Sequence, residues 1–549
     1  MNEATDDSLL GIYQDMGYPT IDNNFDKISR LLEKFKQIQD RYLKSHPSEL
    51  YKIRVLDLTP EENPDISFVQ KLTNLKALFL NEYQITDISW IRNLEKLAVL
   101  ELAQNKIVDI SVLRELEHLH TLNLNDNQIT DISAITSLKN LQLLDCHQNE
   151  IQDISALKNF QKLVYLDLSE NPIDDFNPIK NLLHTQVLRL ESTNLSNLSF
   201  LKSIPNLKRL ILNKNHIQDI SPLQSLTSVE VLDLEQNQIE DISILRDFKK
   251  LLILLLSANP LKDISVIAEL TQLLRVDLKY QQIEDVSIFK NLKQLVHLGL
   301  KGNQIQDISP LKDLTQIQSI NLTENQLQDI STLRNLVNLD HLYLSDNQIE
   351  DISPLASLNK LEYLNLSLNQ ITDISSLESL TNLQKLRLNY NKIRDISPLK
   401  KLTQLRVLKI SDNPIENYPL LGELSQLETL YLNKCQFPSF SFLTKLTKLR
   451  KLELMDTNIK DISMLKGLVE LESLRIDYHQ LIYPPLWYIH LQNKGGKLGD
   501  YSHLEKLPEV EKIWQIMNSV DEQNIELAHQ LAIGQGWTEK EFELYKNLV

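Results

Sequence analysis

Sixteen aspartates recur on a 22-residue interval, among them Asp65, Asp87, Asp109, Asp131, Asp153, Asp219, Asp307 and Asp461. An edge of repeated carboxylates is the first feature here that could do chemistry, as a string of cation ligands. The spacing gives it a different use. The motif Asp-Ile-Ser occurs in fourteen of the repeats. Serine is a favoured helix N-cap, and proline fits the position after it. Ser221-Pro222, Ser309-Pro310, Ser353-Pro354 and Ser397-Pro398 show that pairing. Each aspartate thus has a local role in opening a turn, and its successors lie a strand spacing away, so no metal site is expected. The 12 histidines are scattered. No His-Glu-x-x-His, Gly-x-Ser-x-Gly, Cys-x-x-Cys or glycine-rich dinucleotide loop is present. Lys494-Gly-Gly-Lys-Leu-Gly499 lacks the spacing of a phosphate loop. No catalytic residue and no cofactor is expected, and the chain reads as a non-enzyme.

Binding is the remaining chemistry, and the repeat says where to look. An asparagine marks thirteen of twenty register positions from residue 61 to 479, including Asn105, Asn303, Asn325 and Asn413. Positions six, four, two and one before each marker vary, and the first three alternate with apolar core positions, so they share the exposed face of a strand. Across the first nine repeats they hold ten acidic residues, such as Glu101, Asp145, Asp167, Glu191 and Asp233, against Arg189, Arg209 and Lys214. Across the last eleven they hold nine basic residues against seven acidic ones. Aromatic and arginine side chains dominate most binding hot spots. The candidate protein-binding residues on this face are therefore Arg275, Lys279, Tyr280, His297, Lys301, His341, Tyr343, Tyr363, Lys385, Arg387, Tyr390 and Lys409.

The elements that position them follow from hydrophobic spacing. In the repeat marked by Asn303, Ile320 and Leu322 alternate with polar residues, which is strand spacing. Ile305, Ile308, Leu311, Leu314 and Ile317 step by three, which suits short 3₁₀ turns. Each repeat is then one short strand, a corner at the asparagine and a tight helical return. The asparagine amide is placed to bond backbone groups of its own repeat and the next. Register weakens at Thr185, Thr193, Gln281, Cys435, Thr457 and His479.

The pattern Leu-x-x-Leu-x-Leu-x-x-Asn-x-Ile-x-Asp-Ile-Ser-x-Leu-x-x-Leu over 361–380 resembles the 22-residue leucine-rich repeats of bacterial internalins. It is also similar to the repeats of the leucine-rich regulatory subunit of protein phosphatase 1. The resemblance implies an α/β leucine-rich repeat solenoid, with a parallel β-sheet on the concave face and short 3₁₀ or irregular helical turns on the convex face. It further implies that the concave face binds another protein.

The predicted domains are an N-terminal tail and capping helix over 1–50, a solenoid of about twenty repeats over 51–484, and a C-terminal helical module over 485–549. Phe25, Ile28, Leu31, Leu32, Phe35, Ile38 and Tyr42 form one face of the first helix. Three short helices are expected near 504–518, 522–533 and 538–548. The alternative function is a recognition arm or regulator of an enzyme, a phosphatase or GTPase regulator, acting through the terminal helices. The net charge of −17 is nearly supplied by the sixteen aspartates alone, and no basic stripe is present, so nucleic acid is not an expected partner. No apolar run is long enough for a membrane span, and no signal peptide is read at the N-terminus. Cys146 and Cys435 lie thirteen repeats apart and cannot pair. A cytoplasmic protein that binds a protein partner is expected, with helical caps at both ends.

Overall fold

The computed structural model describes residues 54–57, 68–477 and Gln530. The predicted N-terminal capping helix and the three C-terminal helices lie outside the described residues. The chain divides into two compact units, Met1–Leu273 and Leu274–Val549. The first carries ten strands, β1 (Val55–Asp57) to β10 (Ile253–Leu255); the second carries ten more, β11 (Arg275–Asp277) to β20 (Ser473–Ile476). Within each unit neighbouring strands pair in parallel, and paired residues are one repeat apart, as in Val55↔Ala77 and Leu364↔Leu386. Short 3₁₀ turns such as Ser353–Ser357 return the chain to the next strand.

An aliphatic residue at the centre of each strand, leucine in most and Val276 or Ile320 in β11 (Arg275–Asp277) and β13 (Ser319–Asn321), is what makes the layers stack. Leu342, Leu364, Leu386 and Leu408 are fully buried on successive strands, and Ile352, Leu355, Leu358 and Leu361 line the return of one repeat. The threefold stepping suits a 3₁₀ helix because its side chains at i and i+3 eclipse on one face. Phe248, Phe289 and Phe437 fill aliphatic slots within the same core.

The marker asparagine fixes the corner, but its direction differs from expectation. Asn391 donates from Nδ2 to the carbonyls of Leu388 (3.1 Å) and Asn389 (3.3 Å) in its own repeat. It also donates to Leu366 (2.9 Å) and accepts from the Ile371 amide (3.1 Å), both in the preceding repeat. The side chain reaches back towards the N-terminal neighbour, not forward. Its four bonds satisfy buried backbone groups that water cannot reach.

The residue before the marker is left-handed in almost every repeat, with φ of 54° at Glu170, 57° at Leu368 and 56° at Tyr390. Where the marker is not asparagine, the corner changes. At Tyr83, Thr193 and Gln281 the marker amide turns to Oδ1 of the next repeat's Asn105, Asn215 or Asn303, at 3.0, 3.0 and 3.1 Å. The residue after it then becomes left-handed as well, at Gln84, Asn194 and Gln282. Thr185, in a core slot, stays satisfied by donating to the Leu163 carbonyl at 3.1 Å.

The turn opening also corrects the expected cap. Serine is the first 3₁₀ residue, and the capping acceptor is the aspartate two positions earlier. Asp351 Oδ1 accepts the Ser353 amide at 2.8 Å, and its Oδ2 accepts the Ser353 hydroxyl at 3.1 Å. A carboxylate has two acceptor oxygens, so it takes the serine amide on one and the serine hydroxyl on the other.

Candidate protein-interaction face

Strand alternation sends the positions six and four before each marker outwards, so the varied residues form rows across successive strands. In the second unit one row runs His341, Tyr363, Lys385, Val407 and Thr429. The next runs Tyr343, Asn365, Arg387, Lys409 and Tyr431. These rows belong to β14 (His341–Tyr343), β15 (Tyr363–Asn365), β16 (Lys385–Arg387), β17 (Val407–Lys409) and β18 (Thr429–Tyr431).

Six of the predicted site residues meet on this grid. The rings of Tyr343 and Tyr363 lie 4.7 Å apart, and His341 stacks on Tyr363 at 5.8 Å. The Arg387 guanidinium sits 5.5 Å from the Tyr363 ring centre, and Lys409 Nζ lies 4.0 Å from that of Tyr431. Lys385 stands beside Tyr363 in strand register. Burial raises the Tyr363 hydroxyl to about 12, against the opposing pull of the Arg387 cation, so the phenol remains a neutral donor. His341 Nδ1 pairs with Asp340 at 2.7 Å. Tyr390 stands one position before its marker, 45% exposed.

Five predicted residues do other work. Arg275 and Lys279 close on the buried Asp277, at 2.7 and 3.2 Å. Burial would raise that carboxyl, but the two cations hold it below its usual range. This trio fits because residue 299 is glycine: a Cβ there would fall 1.7 Å from Asp277 Oδ1. His297 is pushed down to about 4 by burial and by the Arg275 cation, so it is neutral near pH 7. Lys301 pairs with Glu324 at 2.9 Å and lies 5.5 Å from the Tyr280 ring centre. Gly302 makes room for that ring, since a Cβ at 302 would meet it at 2.2 Å. These residues belong to internally balanced clusters rather than to the aromatic and basic grid.

Sequence reasoning missed two residues within the grid. Ser367 is buried, and its hydroxyl has no hydrogen-bond partner. Leu368 is 47% exposed. A signal for Leu368 was present, because the position before a marker is mostly polar in the other repeats.

The first unit presents a contrasting face. Burial raises Glu101 to about 7 and Asp233 to about 7. Asp145, His147 and Asp167 bring three donor atoms within 4.8 Å of one another, a set that could in principle hold a cation. Their charges are already answered internally: His147 pairs with Asp145 at 3.3 Å, and Arg189 with Asp167 at 2.7 Å.

A model of the leucine-rich repeat, two copies at a time, matches residues 95–137, 139–181, 205–247, 293–335, 337–379, 360–401 and 381–423. Among solved structures, the chain is similar to an internalin (inlF) of Listeria monocytogenes, with 33% identity, 58% of this chain and 88% of that one covered, and a TM-score of 0.47. It is also similar to the plant peptide hormone receptor RGFR1 in complex with RGF2, at 22% identity, 78% and 75% coverage and a TM-score of 0.54. A leucine-rich repeat protein of Leptospira interrogans matches at 24% identity, 76% and 100% coverage and a TM-score of 0.46. No curated protein matches the chain. The chain belongs to the leucine-rich repeat family, whose members generally mediate protein–protein interaction. Among the described residues no helix is long and apolar enough to cross a membrane.

Proposed function

We propose that this chain is a non-catalytic binding protein that holds a protein partner on the strand face of its second unit, over β14 to β18. The observation that carries the reading is the run of Tyr343, Tyr363, Arg387, Lys409 and Tyr431 across five adjacent strands. Aromatic and arginine side chains bury large area at low entropic cost, and they cluster at the centres of interfaces. The framework beneath is rigid, because each strand is tied to its neighbours and the corners after β14 to β17 are tied by Asn347, Asn369, Asn391 and Asn413.

The test is capture of partners by the full chain, read by mass spectrometry, with two sets of substitutions. Tyr343→Ala with Arg387→Ala removes the partners that wild type retains. Asp145→Ala with Glu191→Ala, on the first unit's face, leaves them bound. Loss with the second pair and not with the first overturns the proposal. A cytoplasmic location goes with this reading; its support is the pair of buried free thiols, Cys146 and Cys435, and cell fractionation tests it.

A further inference from the structure

Arg387 differs from three other arginines of the strand faces, Arg189, Arg275 and Arg475. Arg189 is paired in strand register with Asp167 and bonds it at 2.7 Å. Arg275 bonds Asp277, and Arg475 lies 3.3 Å from Glu453. The register neighbours of Arg387 are Asn365 and Lys409, an amide and a second cation. Among the described residues no carboxylate pairs with Arg387 or Lys385, and Arg387 Nε is buried without a hydrogen-bond partner. A buried donor left without an acceptor works against folding. The chain supplies an acid for Arg189, Arg275 and Arg475 and withholds it here.

Two independent features adjoin this cation. Ser367 follows two residues after Asn365 on the same strand face, is 8% exposed, and has an unpartnered hydroxyl. The equivalent Ser345 and Ser411 are both satisfied, Ser345 by Thr323 and Ser411 by the Asn433 amide. Next to Ser367 stands Leu368, and one repeat on stands Tyr390; both are exposed and left-handed. The left-handed corner is shared by the other repeats, where its residue is mostly polar. An exposed leucine at this corner returns nothing to folding, and its apolar surface lies open to a partner.

We infer that this face takes an extended acidic peptide segment, with a Glu or Asp carboxylate seated on Arg387 and Ser367 and an adjacent apolar side chain resting on Leu368 and Tyr390. This rests on the second unit's strand face being the binding face. The carboxylate is drawn to the Arg387 guanidinium and, as the flanking side chains part to admit it, accepts from the Nε and the Ser367 hydroxyl that are buried in the free chain. Lys385 and Lys409 add attraction at longer range. Leu368 Cβ and the Tyr390 ring give the apolar neighbour a surface that excludes water.

The experiment is selection of a random peptide library, displayed on phage, against the full-length chain, followed by anisotropy measurements on the selected peptides. Selection enriches peptides with Glu or Asp next to Leu, Ile or Phe. Their affinity falls about tenfold or more in Arg387→Gln, as expected for loss of a charge-assisted hydrogen bond, and partly recovers in Arg387→Lys. In Leu368→Gly binding weakens while the unfolding midpoint rises, because glycine adopts this conformation freely. A purely structural leucine would not separate the two readouts in that way. Enrichment of neutral or basic peptides, no enrichment at all, or affinities unchanged in Arg387→Gln overturns the inference. Self-association of the wild-type chain that Arg387→Gln abolishes would put a second copy on the face and overturn it too. Non-acidic peptides that are lost in Tyr343→Ala would sink the inference alone; peptides insensitive to both Tyr343→Ala and Arg387→Gln would sink the binding face itself.

Discussion

Where the marker is asparagine, its side chain holds the corner through four backbone partners, and this sets the largest residue-level effect in the framework. Asn391→Ala leaves the amide of Ile371 unmet in a buried place and takes one of two asparagine bonds from each of the carbonyls of Leu366 and Leu388, which keep those from Asn369 and Asn413. Loss of stability on the order of 2–4 kcal/mol is expected in urea unfolding. Gly299→Ala is the second such case. The added methyl displaces Asp277 from Arg275 and Lys279, and a drop of about 1–3 kcal/mol follows. Asparagine recurrence was plain in the sequence, and so was its burial. Its direction was not, because Oδ1 and Nδ2 have equal chemical access to either neighbour until strand stagger is known. The trio around Asp277 was legible: Arg275, Asp277 and Lys279 alternate along one face of one chain segment. Treating Arg275 and Lys279 as binding residues overlooked the acid between them. Ser367 and Arg387 were harder, since an unmet hydrogen bond depends on which residues flank it across strands.

At the scale of elements, the strands and 3₁₀ returns were readable because period two and period three alternate without insertion. The cap was half readable. Asp-Ile-Ser announced a turn opening, yet which of the two polar side chains accepts the amide depends on local dihedrals. The aspartate does, and the serine amide and hydroxyl bonds hold carboxyls such as Asp351 and Asp395 below their usual range. A depressed folded-state value means that these caps stabilise fully above the unfolded-state value and are lost as pH falls through the folded one. The strands of the first unit work in the opposite sense. Glu101 and Asp233 have folded values raised to about 7, so the folded state keeps protons that the unfolded state has released. Their contribution is complete below the usual carboxylate range and declines as pH rises towards 7. Stability therefore peaks in mildly acidic solution. Glu101→Gln keeps the bond from Asn123 and abolishes part of the alkaline decline. It should match wild type near pH 4 and exceed it by on the order of 2 kcal/mol near pH 8, read from urea midpoints across pH.

For the whole molecule, the aspartate column accounts for nearly all of the net charge of −17, which masks a local reversal. The strand face of the first unit is acidic, whereas β14 to β18 present Lys385, Arg387 and Lys409 among tyrosines. That polarity could be counted from the sequence once the register was known. What counting could not supply was the subset that meets: His341, Tyr343, Tyr363, Lys385, Arg387 and Lys409 form one patch, while Arg275, Lys279 and His297 are turned to internal use. An acidic partner on such a patch binds more weakly as salt rises, through a slower association rate. The most direct measurement of where the partner sits is photo-crosslinking from a benzophenone side chain placed at Tyr390, on the strand face, or at Val337, exposed on the 3₁₀ side. Covalent partner adducts from position 390, absent from position 337 and suppressed in Arg387→Gln, are the predicted result. Adducts from position 337 with none from 390 would contradict the account.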